Sequence, residues 1–146
     1  VRSLRDVDIA LLERHRGRMD DVAYRRARHV VEENERVAST ETALENGDLD
    51  AVGRLFAASH ASLRDLFEVS SGALDSLVEI AARVRGVIAA RLTGAGFAGC
   101  TVNLVRHEAV PAFRAAVLGD HPRRTGLTPI VMEVHAAHGA GFVAGQ

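Results

Sequence analysis

The sequence has no lysine and no tryptophan, a single cysteine and only three prolines in 146 residues. Each shortage excludes something. Without lysine there is neither a Schiff-base amine nor a phosphate-loop lysine, which removes several mechanisms at once. All 18 cations are arginines, set against 19 acidic residues, so the formal charge is -1 and no overall field recruits nucleic acid or an anionic membrane. Cys100 has no partner for an internal disulfide. With no signal peptide and no long apolar run, a reducing cytoplasm is the expected compartment. The chain does not start with methionine and is expected to begin within a longer protein.

What is present suits one domain over residues 1–146, since 47% of the residues are hydrophobic and the length is enough to bury a core. The most unusual stretch is Arg91 to Cys100, Arg-Leu-Thr-Gly-Ala-Gly-Phe-Ala-Gly-Cys. Val87 and Ile88 precede it and Val102, Leu104 and Val105 follow, which predicts a strand, a glycine turn and a second strand. Such a turn exposes backbone N–H groups and lets the main chain approach a ligand or another loop; a tight hairpin or bulge is the plainer reading. It is not a Walker loop, because no Gly-Lys-Ser/Thr follows. Cys100 opens an apolar strand and is expected to be a buried, inert thiol.

Helical periodicity dominates the rest. Leu4, Val7 and Leu11 predict a first helix from Val1 to Met19. Asp20 or Asp21 caps a second that runs to about Asn46, with Ala23, Ala27, Val30, Asn34 and Val37 as its stripe. Gly47 stops it and Asp48 caps a third, whose stripe is Leu49, Val52, Phe56, Ser59 and Leu63 and which packs antiparallel on the second. His60 reads as a structural histidine, because no Ser-His-Asp or Cys-His arrangement can be assembled around it. Ser71 and Gly72 open another helix with Leu74, Leu77, Val78, Ala81 and Val84 inward. A strand at Thr101–Val105 leads to a short helix with Pro111 in its first turn and Val110, Phe113 and Val117 inward. Asp120–Thr128 is expected as a loop, Ile130, Met132 and Val134 alternate as a last strand, and Ala136–Gln146 as a mobile or surface-lying tail. His135 and His138 lack a third ligand, so no metal site is expected. The fold class is therefore α+β, with long helices packed on a small, mainly antiparallel sheet.

Taken in order, several segments resemble a known family. They are Arg26-Ala27-Arg28-His29-Val30-Val31 with Glu33-Asn34-Glu35-Arg36, Asn46-Gly47-Asp48-Leu49, Ser59-His60 with Ser62-Leu63-Arg64-Asp65 and Phe67-Glu68-Val69, Leu74-Asp75-Ser76-Leu77-Val78-Glu79, and Arg91 to Cys100. From about Tyr24 to Gly141 the chain resembles the C-terminal half of galactokinase, a GHMP-type sugar kinase. The resemblance implies a ferredoxin-like GHMP kinase C-terminal domain and transfer of the γ-phosphoryl group of ATP, with Mg2+, to the C1 hydroxyl of galactose. It also implies that Thr93, Gly94, Ala95, Gly96, Phe97 and Gly99 support the phosphate loop of an N-terminal kinase domain. That domain, which supplies the sugar signature, the catalytic residues and most contacts to ATP and Mg2+, has no counterpart in this sequence, so no catalytic or metal-binding residue is assigned and the chain alone is expected to be inactive. By the same resemblance a further strand lies upstream.

Departures from the family pattern are Ala95 and Ala98 in place of glycine, Leu66 in place of an aspartate and Gly72 in place of a proline. If position 98 needs φ > 0, alanine there loosens the loop. Two other functions remain open: a non-catalytic sensor or orphan module that dimerises through a bare sheet edge, and a GHMP kinase for another small alcohol.

Overall fold

The computed structural model describes residues 1–137. Its elements are α1 (Ile9–Arg14), α2 (Asp21–Glu45), α3 (Leu49–Asp65), α4 (Gly72–Arg83), β1 (Val87–Thr93), β2 (Cys100–Val105) and α5 (Val110–Thr125). Caps set most of the helix starts. The side chains of Asp8, Asp20, Asp48 and Ser71 accept the N–H groups of Leu11, Ala23, Ala51 and Leu74, which satisfies one orphan donor at each helix entry.

β1 and β2 pair antiparallel, with Thr93 opposite Cys100, Arg91 opposite Val102 and Ala89 opposite Leu104, and a bulge between Val87 and Ala89. Because side chains alternate along a strand, these three pairs share one face and Ala90 and Leu92 belong to the other. On the Ala90 side, α4 and α5 close a core of Ile80, Ala81, Ala90, Phe113 and Val117, while Leu92 joins Leu63, Val69 and Leu74. Helix α3 lies along the outer edge of β1. Gly53 makes that approach possible, since a Cβ there would stand 2.5 Å from the carbonyl oxygen of Ile88.

The structure changes several expectations. The first helix is broken: Leu4–Asp6 and Arg16–Arg18 are single 3-10 turns around the six-residue α1, because Ser3 and Asp8 each cap a new start. In α2 the buried apolar residues are Tyr24, Ala27, Val31 and Ala43, whereas Ala23, Asn34 and Val37 are exposed. The predicted stripe is misplaced because α2 meets α3 partly through polar side chains, His29 on Ser62 and Glu33 on Ser59, which an apolar pattern does not mark. Helix α5 continues through the expected loop to Thr125 and ends at Gly126, adding His121 to the inward line of Phe113 and Val117 at i,i+4 spacing.

The last predicted strand does not form. Ile130, Met132 and Val134 are 87%, 74% and 78% exposed, and no described strand pairs with them. Alternation supplies a face but not a partner, and α3 occupies the outer edge of β1. Val131 alone turns in, against the core between α4 and α5. Cys100 is exposed, not buried, as are its face neighbours Val102 and Leu104, because β2 is open on the face that it shares with Arg91. The expected tail, and with it His138, lies from residue 138 onward outside the described residues.

Candidate functional site: the glycine loop and its seat

The residues between β1 and β2 form a loop whose conformation is dictated by glycine. Gly94, Gly96 and Gly99 have φ of 81°, 82° and 130°. Gly96 is the buried one. A Cβ there would overlap the carbonyl oxygen of Val69 and come within 2.8 Å of its side chain, so the loop sits directly on the backbone that links α3 to α4. The Phe97 N–H donates to the Val69 carbonyl at 2.6 Å and closes the contact. Phe97 itself has φ of 58° and is 69% exposed. Positive φ at a bulky residue costs about 1–3 kcal/mol and persists only when its surroundings enforce it. Ala98 has no such φ, so its departure from glycine introduces no left-handed strain; the strain sits one residue earlier.

All six residues expected at the site, Thr93, Gly94, Ala95, Gly96, Phe97 and Gly99, fall together here. Gly96 is the inward anchor and the other five are exposed. Among the described residues, the N–H groups of Gly94, Ala95 and Gly99 meet no protein acceptor. A Cβ added to Gly94 or Gly99 would meet nothing within 4 Å. Beside the exposed Phe97 ring, the outer surface of the loop therefore presents bare backbone at Gly94 and Gly99, with donors free for another molecule or loop.

Beneath the loop the seat is pinned by residues that periodicity did not single out. Glu68, at φ 57°, is held by Arg25 and Arg26 of α2, at 2.7 and 2.5 Å. Arg26 also donates to the Leu66 carbonyl and lies over the ring of Phe67, which stacks on His29. On the strand side, Glu33 accepts from Arg91 at 2.8 Å, Arg36 at 2.7 Å and Ser59 at 2.5 Å. Burial by itself would raise the Glu33 carboxyl, but the hydrogen bonds from Ser59 and Arg36 and the charge of Arg91 outweigh it and hold the group below the ordinary carboxylate value. His60 is buried, with Nδ1 3.4 Å from the Leu92 N–H and Nε2 3.2 Å from Asp75; burial lowers its pKa, and the charge of Asp75 opposes that only in part. It is thus a satisfied structural histidine. Periodicity marks this network only weakly, as polar residues at partly or fully buried helix positions (Glu33, Ser59, His60 and Asp75), although the same residues lie in the segments that resemble the family.

Among the described residues there is no group of three or more His, Cys, Asp or Glu able to hold a metal ion, and no helix long and apolar enough to cross a membrane. For a phosphate, the loop fits as one wall: it offers exposed amides, but Arg91, in the strand that enters it, is engaged by Glu33.

Residues 40–122 match the family described as GHMP kinases C terminal. A galactokinase of Roseiflexus sp. (strain RS-1) is 43% identical over 143 residues, which is 98% of this chain and 37% of that protein. The crystal structure of Lactococcus lactis galactokinase complexed with galactose superposes with a TM-score of 0.84 at 40% identity, over 88% of this chain and 33% of the other. The chain thus spans about a third of the length of the relatives it matches.

Proposed function

The chain belongs to the GHMP kinase family, as its C-terminal domain, and from that premise we propose that it is the part of an ATP-dependent galactokinase that walls the nucleotide phosphate pocket. One observation carries this reading. The loop is anchored from below through Gly96 and Val69, so that Thr93, Gly94, Ala95, Phe97 and Gly99 face outward, with only Phe97 carrying a large side chain. Phosphoryl transfer depends chiefly on positioning and on charge stabilisation, and a wall of this kind can press closely on a neighbouring phosphate-binding loop. Gly94, Ala95 and Gly99 would direct their free N–H groups to that loop or to the phosphates, and Phe97 would cover its side.

Bound ATP with Mg2+ supplies the phosphoryl group and neutralises its charge. In this reading both are held chiefly by an N-terminal kinase domain, as the resemblance to galactokinase implies. The acceptor is the C1 hydroxyl of galactose, likewise held by that domain, and the working compartment is the cytoplasm. Within the transfer, the residues of this chain position and exclude water; they hold no proton for the reaction.

Two preparations test the proposal. Purified chain with ATP, Mg2+ and galactose is expected to give no galactose 1-phosphate. The same chain joined behind the unmatched preceding part of the Roseiflexus galactokinase is expected to give turnover that Gly96→Val lowers at least about a hundredfold by displacing the wall. Turnover by the chain alone, or a joined protein indifferent to Gly96→Val, would overturn it.

A further inference from the structure

Two pieces of backbone set where the glycine loop lies: Leu92, in the strand that enters it, and Val69, on which it rests. One carboxylate is linked to both through an intermediate side chain or neighbour. Asp75, in the first turn of α4, accepts from the Ser70 hydroxyl at 2.5 Å, and the same Oδ1 lies 3.2 Å from Nε2 of His60. His60 in turn meets the Leu92 N–H through Nδ1 at 3.4 Å. We propose that Ser70, Asp75 and His60 form a positioning relay that fixes the distance between the strand entering the glycine loop and the segment beneath it.

The protonation state follows from the partners. A backbone N–H can only donate, so Nδ1 accepts and the single proton of the neutral ring stands on Nε2, aimed at Asp75. Burial keeps the ring neutral against the charge of Asp75, and Arg64 and Arg91 work in the same direction as burial. Asp75 is thereby a shared acceptor for donors from two directions, Ser70 on the seat and His60 on the strand side. Ser70 follows Val69 directly, so a shift at the hydroxyl is felt at the carbonyl that holds Phe97. The relay is a matter of loop geometry in this chain. Its consequence for phosphoryl transfer rests on the function proposed above, and for that reason the test reads the loop and not turnover.

In the unaltered, 15N-labelled chain at neutral pH, a scalar coupling across the hydrogen bond from the Leu92 amide to Nδ1 of His60 is expected, with Nε2 protonated. A ring protonated on Nδ1 would overturn the relay. Ser70→Ala and Asp75→Ala are expected to speed amide exchange at Leu92 and Phe97 by at least about tenfold while the amides of α5 keep their rates. Asp75→Asn, which retains an acceptor oxygen, is expected to rescue the loop. Exchange accelerated equally in α5 and the loop, or loop amides unchanged in both alanine variants, would overturn the proposal. Ser70 is only half-buried, so its variant carries the test should Asp75→Ala not fold.

Discussion

The two sides of β1 are held by different mixtures of contacts. Toward α4 and α5, Ile80, Ala81, Ala90, Phe113 and Val117 exclude water with no polar atom among their side chains. Toward α2 and α3, Ala89 packs with Ala43 and Val52, but the strand is met there also by the Arg91–Glu33 pair, by His60 on Leu92 and by bare backbone at Gly53. Apolar burial is non-directional and tolerates small displacements, whereas hydrogen bonds and a backbone contact without room for a Cβ fix position. The glycine loop rests on the second kind of contact. The directional contacts on the second side determine where the outer face of the loop lies.

Cutting into the apolar side should give the largest loss. Phe113→Ala is expected to cost about 3–5 kcal/mol in urea unfolding, from lost transfer energy and the cavity left behind, with the loop amides of the folded fraction unmoved. Gly96→Ala strikes the other side. It combines a positive φ with an overlap on the Val69 backbone, so about 2 kcal/mol is expected, accompanied by loss of exchange protection at Phe97. A Phe113 variant that disordered the loop, or a Gly96 variant that left it in place, would erase the contrast.

The same division explains what the sequence discloses. Strand β1, the turn and β2 are read correctly because glycines between β-prone runs are a local signal, and α3 and α4 are marked by Asp48 and Ser71 and by apolar spacing. That the six loop residues share one turn is legible for the same reason. The seat is not. Val69 lies 28 positions from Phe97 in sequence, and Arg91 58 positions from Glu33. Nothing local to either residue announces its partner. The stripe of α2 was misplaced for a related reason: inward-facing His29 and Glu33 look like surface residues until their hydrogen bonds are known. The exposed Ile130, Met132 and Val134 show the opposite failure, in which a correct local alternation has no strand to pair with among the described residues.

Acid bears on both sides, since burial also lowers the pKa of His121 on α5. His60 and His29 titrate below their ordinary value of about 6.5, so the unfolded chain binds their protons first, and the stability they contribute is complete above that pH and lost as pH falls through their folded values. Glu33 is also depressed; its contribution is present above the ordinary glutamate value and is lost as pH falls through the lower, folded one. Glu33→Gln is therefore expected to cost about 1–2 kcal/mol near pH 7, through weakened bonds to Arg91 and Arg36, and to flatten the carboxylate limb of a stability–pH profile while leaving the histidine limb in place.

The smallest effect comes from the same chemistry in a different setting. Glu79 of α4 meets Arg124 of α5 at 3.2 Å, with side chains 57% and 31% exposed, whereas Glu33 is 18% exposed and its partner Arg91 26%. Water screens the first pair and holding two long side chains together costs entropy, so Glu79→Ala is expected to change unfolding free energy by less than about 0.5 kcal/mol, and by still less in 0.5 M salt, where screening is stronger. Glu33→Gln should keep most of its cost in that salt, since its partners are fixed and largely removed from solvent. Equal salt sensitivity in the two variants would mean that the Arg91 pair acts as an ordinary surface ion pair, and that the strand entering the glycine loop is located by packing alone.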